Sequence, residues 1–508
     1  MGINMKSEIA GLFVILAAVF VCGPAVSAAG MIDFTGQKKL YELGGRFNEE
    51  TPQLALDTTG HVFVAYTGTF GASPDNPGVF VDVSTGSDKS FSHNTINIDK
   101  TWLIGSSSQT TVAMTMPAMA IDKNSVVHVG FLWTLSTSTS TYVCYTYSTD
   151  SGRNFAPPVK ISLVQISSAT APQMAVSGES VYITWTDIDN NVHLSRYSGG
   201  RKSKVDIKIP KQWGCYGQKM AVTPAGKIYI VWYGYNADSN SYKIVFARSV
   251  DDGMTFTYPA AIDDDNMVSS EPSIAAYGEN KVYVTYTDTR TIYKHIRCVV
   301  STDGGATFGA SVPVSSETGG YNDRGSTVRV DGSGIIYAAW CNDAKAADTP
   351  DIFMAWSANG GSSFSAFQKI NNIGGVNQFG YGSPSFDVDA AGTIQIAWKG
   401  EAVKDTSDQI YYSASINGVA PKMLAADSAT STTVSLSWQG VTFPRFRIDR
   451  STDGQTWTTA VSPEALAAPN FTDTGLKPDT TYHYRVYGYT VEGTAVNTPA
   501  TVTATTAQ

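Results

Sequence analysis

One sequence pattern recurs seven times along the chain, and this repeat restricts the fold more than any other feature. Each copy has an anchor that is usually proline, then alternating apolar residues, a turn, and a β-rich run that ends in an aromatic residue. Two period-2 runs on either side of a turn predict a β-hairpin. The copies lie at 52–66, 117–131, 172–185, 218–232, 272–286, 326–340 and 384–398.

Most copies are followed by two further strand-like runs, which gives four strands in each unit. Four-stranded units that repeat in this way are typical of β-propeller blades. We therefore predict an all-β fold whose first part is a seven-bladed β-propeller over residues 32–418. The seventh unit stops after its third strand, 409–416, so we expect the segment 36–45 to supply its outer strand. Such closure removes sheet edges that would otherwise promote aggregation.

After Gly418 the pattern changes, and residues 420–508 resemble a fibronectin type III domain, which is a β-sandwich. Trp438 matches the buried tryptophan of its second strand. Leu476, Pro478 and Tyr482 match the corner at which a tyrosine hydroxyl binds nearby backbone. The resemblance implies a spacer or an adhesive module.

The N-terminal residues 1–29 have the layout of a secretory signal peptide. Lys6 precedes an apolar run over 10–21, and small residues follow as far as Ala28 and Ala29, where we expect cleavage. The apolar run is short for a bilayer span. We therefore predict a secreted, periplasmic or cell-surface protein without a membrane span. The net charge of −9 argues against nucleic acid as a partner.

The sequence predicts no resident cofactor and no metal. The histidines lack zinc-ligand spacing, and the run Asp263-Asp264-Asp265-Asn266 fits either a Ca²⁺ site or, more commonly, a solvated acidic turn. The cysteines beyond the signal segment lack CxxC spacing, and they fit either buried thiols or a disulfide. They are Cys144, Cys215, Cys298 and Cys341.

An octet, Ser-x-Asp-x-Gly-x-x-Phe, recurs between the third and fourth strands of several units. Aspartate accepts backbone N–H groups in a tight turn, serine adds a local bond, and glycine allows positive φ. The octet resembles the Asp-box, or BNR repeat, of sialidases and related propellers. We interpret its polar residues as structural, since otherwise each blade would carry its own active site. They are Asp150, Asp251, Asp303 and, in a copy that lacks the acid, Asn359.

We predict the functional surface on the propeller face opposite these turns. Aromatic and polar residues concentrate in the loops of that face, and such residues suit a sugar or peptide ligand. The alternative is that the rings pack between blades. The predicted partner is a glycan or an extracellular protein. The candidate ligand-binding residues are Trp102, Trp213, Tyr216, Tyr321, Arg324 and Tyr381.

The resemblance to sialidases implies an alternative, an exo-glycoside hydrolase. Sialidases bind the substrate carboxylate through three arginines and use a tyrosine nucleophile, a glutamate and an acid/base aspartate. Their Arg-Ile-Pro sequence is replaced here by Glu50-Thr51-Pro52, and their propeller has six blades. We therefore favour a non-catalytic binding or scaffold protein and keep an atypical sialidase-like hydrolase as the alternative. Its candidate catalytic residues are Arg46, Arg290, Arg324, Tyr321, Tyr381 and Glu271.

The third residue after the hairpin anchor distinguishes the last two repeats. Five copies have alanine there, whereas the sixth and seventh have Arg329 and Asp387. Small residues indicate crowding near the propeller axis, where an unpaired buried charge is costly. We therefore expect Arg329 and Asp387 to pair. The alternative is that they line the central channel.

Overall fold

The structure is a computed structural model in which every regular element of the described residues is a β-strand. It describes residues 32, 34, 37–40, 50–69, 77–84, 91–95, 112–135, 140–162, 166, 170–198, 201–208, 214–236, 240–263, 268–316, 322–343, 351–371, 383–389, 392–400, 409–415, 422–439, 443, 445–489, 495 and 499–508.

Seven four-stranded antiparallel sheets, named I to VII in chain order, follow the seven repeats. A short strand, β1 (Lys38–Lys39), precedes them. Sheet I contains β2 (Glu50–Leu56), β3 (Val62–Thr69), β4 (Pro77–Ser84) and β5 (Ser92–Thr95). Sheet II contains β6 (Val112–Ile121), β7 (Val127–Leu135), β8 (Thr141–Ser148) and β9 (Val159–Lys160). Sheet III contains β10 (Gln173–Ser177), β11 (Ser180–Thr186), β12 (Val192–Ser198) and β13 (Arg201–Lys208).

The remaining sheets have the same order of strands, from an inner strand to an outer one. Sheet IV contains β14 (Tyr216–Val222), β15 (Ile228–Asn236), β16 (Ser241–Ser249) and β17 (Ala260–Ala261). Sheet V contains β18 (Ser269–Tyr277), β19 (Lys281–Asp288), β20 (His295–Ser301) and β21 (Val312–Pro313). Sheet VI contains β22 (Asn322–Val330), β23 (Ile336–Asp343), β24 (Asp351–Ser357) and β25 (Gln368–Lys369). Sheet VII contains β26 (Ser385–Val388), β27 (Ile394–Gly400) and β28 (Gln409–Ala414), completed by β1.

The first strand of the chain is the outer strand of the last sheet. Lys38 and Lys39 of β1 lie opposite Tyr412 and Tyr411 of β28 in an antiparallel pair. The Leu40 N–H donates to the Ile410 carbonyl over 3.1 Å. This pairing is the one that the incomplete seventh repeat predicts.

Apolar clusters fill the space between successive sheets and join them in a cycle. Phe63 of sheet I packs with Phe131 of sheet II, and a further cluster joins Val64 of sheet I to Tyr412 of sheet VII. These side chains are almost entirely buried because each strand is covered by sheets on both sides. The all-β class is confirmed. The contacts agree with a propeller of seven blades, and we keep the blade number as a prediction.

Residues after 421 form two further sheets. The smaller contains β29 (Lys422–Ala429), β30 (Thr433–Gln439) and β33 (Asn470–Thr474). The larger contains β31 (Arg445–Ser451), β32 (Thr458–Val461), β34 (Thr481–Tyr489) and β35 (Ala500–Thr505). Trp438 is buried against Phe446, and the Tyr482 hydroxyl accepts the Lys477 N–H at 3.0 Å. Both contacts are those predicted for this domain.

The four cysteines of the described residues are buried and are not joined in disulfides. Burial raises the pKa of Cys144 and of Cys298 to about 12, so both thiols stay protonated at neutral pH. Within the described residues, no group of three or more His, Cys, Asp or Glu side chains is arranged to hold a metal. Asp263, the described member of the acidic run, accepts the Ile244 N–H, and the rest of that run lies outside the described residues.

Candidate functional site

The octet over 301–308 forms a closed set of local hydrogen bonds. The Ser301 hydroxyl donates to Asp303 Oδ1 over 2.8 Å and accepts the Gly305 N–H. Asp303 Oδ1 also accepts the Thr307 N–H at 2.9 Å, and its Oδ2 accepts the Thr307 hydroxyl at 2.6 Å. Each oxygen of the carboxylate therefore holds the turn, as the structural interpretation predicts.

Each turn also packs on the sheet that precedes its own. The Phe308 ring lies 4.9 Å from the Phe246 ring of sheet IV in an edge-on contact. Gly305 has a φ of 75°, and a Cβ there would lie 2.5 Å from Phe246 Cζ. Glycine is required at this position for both reasons.

The other copies have the same bonds. Asp150 Oδ1 accepts the Asn154 N–H, and Asp251 Oδ1 accepts the Thr255 N–H. These hydrogen bonds to the charged form lower the pKa of both carboxyls to about 2 and that of Asp303 further. In the fourth copy, Asn359 Oδ1 accepts the Ser363 N–H at 3.1 Å, so an amide also holds the turn.

Replacing Asp150, Asp251 and Asp303 together by asparagine should make stability less sensitive to acid. The pKa of each carboxyl is lower in the folded chain than its usual value of 3.8, so their stabilising contribution is complete above about pH 4 and is lost as the pH falls toward 2. The difference in melting temperature between wild type and variant should therefore shrink between pH 5 and pH 2 (about these limits). A difference that does not vary with pH would contradict the assignment.

Four tyrosines form an exposed patch at one end of sheet IV. We call Tyr216, Tyr233, Tyr235 and Tyr242 the tyrosine patch. In the strand register, Tyr216 lies opposite Tyr233, and Tyr235 lies opposite Tyr242. Residues paired in this way share one face of a sheet, as do residues two positions apart in a strand. The four rings are therefore on the same face.

The rings are in contact with one another. The centroids of Tyr235 and Tyr242 are 5.4 Å apart, and those of Tyr216 and Tyr233 are 5.5 Å apart. Tyr216 and Tyr242 are each 36% exposed and Tyr235 is 41% exposed. The Tyr235 hydroxyl donates to Asn240 Oδ1 over 2.6 Å. The patch is therefore held by the strands and presents ring faces and hydroxyls to solvent.

The tyrosine patch lies on the predicted face. It sits where β15 ends and β16 begins, whereas the turn over 249–256 follows the opposite end of β16. Of its members only Tyr216 was predicted from the sequence. The other three read as ordinary strand aromatics. Their grouping depends on the pairing of strands β15 and β16, which places Tyr235 opposite Tyr242.

Two candidate catalytic residues have structural contacts. Arg290 makes an ion pair with buried Asp288, in which Arg290 Nη2 lies 2.9 Å from Asp288 Oδ2. Glu271 Oε2 accepts the Gly325 N–H at 2.9 Å and the Thr287 hydroxyl at 3.0 Å, and thereby links sheets V and VI. Arg290 thus pairs with a neighbouring aspartate, and Glu271 binds groups in two adjacent sheets.

Arg324 is half-buried in β22, opposite Cys341 and beside the linked Gly325. Glu271 and Arg324 therefore occupy adjoining positions of neighbouring sheets. The other predicted site residues lie outside the described residues. They are Arg46, Trp102, Trp213, Tyr321 and Tyr381.

Arg329 and Asp387 do not make the direct ion pair that we expected. Among the described contacts, Asp387 Oδ2 accepts the Leu56 N–H at 3.2 Å. Asp387 Oδ1 accepts the N–H of the next residue, Val388. Burial raises the pKa of Asp387, and the charge of Arg329 opposes that rise. The two charges thus interact at longer range, and backbone N–H groups bind the carboxylate.

Comparison with solved structures gives weak likenesses. A protein of unknown function from Dyadobacter fermentans is 13% identical, with a TM-score of 0.47 over 75% of this chain and 98% of that chain. The NanB sialidase from Streptococcus pneumoniae is 12% identical, with a TM-score of 0.40 over 61% and 67%. An α-L-arabinanase from Penicillium chrysogenum, complexed with arabinobiose, is 9% identical, with a TM-score of 0.41 over 76% and 97%. Likeness at this level carries no inference about activity.

Comparison with curated protein sequences gives no match. The described residues include no helix with the length and hydrophobicity that a bilayer crossing requires. A domain family does match at the C-terminal end, over residues 419–504. With its buried Trp438 and its tyrosine corner, this part of the chain is a member of the fibronectin type III domain family, as the sequence predicted.

Proposed function

We propose that this protein is an exported, non-catalytic binding protein that recognises a glycan through the tyrosine patch of sheet IV. The observation that carries the proposal is the exposure of three contacting tyrosines, at 36% to 41%, on a face held by paired strands. The predicted signal peptide supports export, and the resemblance to Asp-box propellers supports a sugar ligand.

The chemistry of the patch suits a sugar better than an aliphatic ligand. A tyrosine ring offers an apolar face for the C–H side of a sugar ring, and its hydroxyl offers a hydrogen bond to a sugar hydroxyl. The rings are already positioned, which lowers the entropic cost of binding. Exposed aromatic surface that folding leaves uncovered commonly marks an interaction site.

The described residues also favour binding over hydrolysis. A glycosidase needs a pair of catalytic groups that converge on one bond, with their polar atoms free to reach the substrate. Arg290 and Glu271 are instead held by Asp288, Thr287 and the Gly325 N–H. This arrangement supports a binding role for the face.

Replacing both Tyr235 and Tyr242 by alanine should weaken glycan binding by about tenfold to a hundredfold, since each stacked ring contributes on the order of 1 kcal/mol or more. A glycan array identifies the ligand, and titration calorimetry with that ligand measures the loss. Tyr258→Ala is the matched control, because Tyr258 is 65% exposed and follows the Ser-x-Asp turn at the other end of the sheet.

A fluorogenic sialoside tests the alternative function. We expect no turnover. Turnover that disappears in Arg324→Ala would replace the binding proposal by a hydrolase. If the variant with both Tyr235 and Tyr242 replaced by alanine still binds the glycan as wild type does, the binding site lies elsewhere on the chain.

A further inference from the structure

A cavity of about 290 Å³ lies where the inner strands of all seven sheets converge. One residue from each inner strand, the position directly after the hairpin anchor, lines it. This volume is near the lower end for small-molecule sites. The seven residues are Gln53, Ala118, Gln173, Lys219, Ser273, Thr327 and Ser385.

Two cationic side chains line this cavity from sheets IV and VI. Lys219 and Arg329 are close enough for the charge of Arg329 to act on Lys219. Within the described residues, the Lys219 ammonium has no hydrogen-bond or ion-pair partner. Arg329 Nη1 donates a hydrogen bond to the Val328 carbonyl over 3.0 Å. Two neighbouring cations in a cavity are an unfavourable arrangement unless an anion accompanies them.

The protein supplies little negative charge to balance them. Asp387 acts on Arg329 at longer range, and its carboxylate binds the Leu56 and Val388 N–H groups. No acidic residue is among the described residues that line the cavity. The cavity therefore has an excess of positive charge.

Two serines line the same cavity as the cations. Ser385 Oγ accepts the Leu54 N–H at 2.8 Å, and Ser273 Oγ accepts the Val328 N–H at 3.1 Å. Because each oxygen is already used as an acceptor, its O–H is left to donate. Donors of this kind complete the coordination of an oxyanion.

We propose that the axial cavity binds a small oxyanion, meaning a carboxylate, phosphate or sulfate group, between Lys219 and Arg329. The anion supplies the charge that the cavity lacks and accepts hydrogen bonds from the ammonium, the guanidinium and the serine hydroxyls. This site is separate from the tyrosine patch and does not depend on the proposed glycan ligand.

The site has a characteristic pH dependence. Burial, together with Arg329, lowers the pKa of Lys219 to about 8. Lys219 is therefore largely charged at pH 7 and neutral well above 8, so affinity for the anion falls as pH rises through this range. Burial lowers the pKa of Arg329, and the charge of the nearby Asp387 carboxyl opposes that fall.

Titration calorimetry with sodium phosphate, sodium sulfate and sodium acetate tests the proposal on the whole exported chain. We expect saturable binding of at least one anion at neutral pH. Lys219→Met and Arg329→Met should each weaken it by about tenfold to a hundredfold. Lys123→Met, at an exposed turn of sheet II, and Tyr235→Ala should bind as wild type does. The dependence of anion affinity on pH is measured with sulfate, because its charge does not change between about pH 7 and values well above 8.

Lys219→Met also gives a readout that does not depend on the ligand. Since the pKa of Lys219 is lowered on folding, its charge opposes folding at neutral pH without an anion, and the variant should melt at a higher temperature than wild type. If Arg329→Met does not fold, anion binding by Lys219→Met still tests the proposal. No saturable binding of any of the three anions, or equal binding by Lys219→Met and wild type, would overturn the proposal.

Discussion

Replacing Gly305 by alanine is expected to lower the free energy of unfolding by about 2–4 kcal/mol. Two costs add at this residue. A φ of 75° is unfavourable for any residue with a Cβ, and that Cβ would lie 2.5 Å from Phe246 Cζ. Phe246 cannot move aside, because it is buried between Phe308 and Tyr229. Urea denaturation followed by tryptophan fluorescence measures the loss.

Two further glycines separate the two costs. Gly278 has a φ of 56° and no atom within 4 Å of its Cβ position, so Gly278→Ala should cost only about 1 kcal/mol. Gly309 has no positive φ, and its nearest neighbour is the Val300 carbonyl at 3.7 Å, so Gly309→Ala should change stability by less than about 0.5 kcal/mol. Equal losses in the three variants would show that the turn over 301–308 does not depend on its contact with sheet IV.

Deleting residues 1–40 is expected to remove about 3–6 kcal/mol of stability, a large share of what a domain usually has. Ile32 and Leu40 are buried, at 3% and 7% exposure, and each burial contributes on the order of 1.5–3 kcal/mol. The Ile32 backbone also makes two hydrogen bonds of 2.7 Å with the Gln368 side chain of sheet VI. The segment therefore holds sheets VI and VII together, and its loss exposes the edge of β28.

A chain that begins at residue 30 is the control, because it lacks the predicted signal peptide and keeps β1. Melting curves of the two chains give the difference. A synthetic peptide covering 30–45 should restore the melting temperature of the shorter chain by pairing with β28. If the shorter chain melts like the control, β1 does not close the propeller.

Much of the fold was predictable because it repeats. Each hairpin copy gave only a weak signal, but seven copies in one register restricted the architecture, and the missing strand of the seventh predicted the role of β1. The Ser-x-Asp turns were predictable for another reason. Their bonds join residues at most four positions apart, as from Thr307 to Asp303, so the local sequence contains the whole structure.

The candidate sites were less predictable because they depend on residues that are distant in the chain. The tyrosine patch requires the register that places Tyr235 opposite Tyr242. The axial cavity requires Lys219 of sheet IV and Arg329 of sheet VI to be near each other. In the sequence, Lys219 was one residue within an apolar repeat. The expected ion pair of Arg329 with Asp387 is not formed, and the Asp387 carboxylate accepts backbone N–H groups of Leu56 and Val388 instead.

The fibronectin type III domain contains its own version of the turn, between β31 and β32. The Ser451 hydroxyl donates to Asp453 Oδ1, which accepts the Thr456 N–H at 2.7 Å. This turn is one residue shorter than the propeller octets, since Trp457 follows Asp453 by four residues whereas their phenylalanine follows the aspartate by five. The Arg485 guanidinium lies 3.7 Å from the Trp457 ring centroid.

A count of octets would not give the number of blades, because four copies accompany seven repeats. The motif encodes a local loop that two unrelated β-architectures use, much as both use hairpins. What identifies a propeller in genome sequences is the recurrence of the octet at a similar distance, 29 to 31 residues, behind the start of each hairpin. A search that also requires glycine two residues and an aromatic residue five residues after the aspartate should accept the first part of this chain and reject the turn at Asp453.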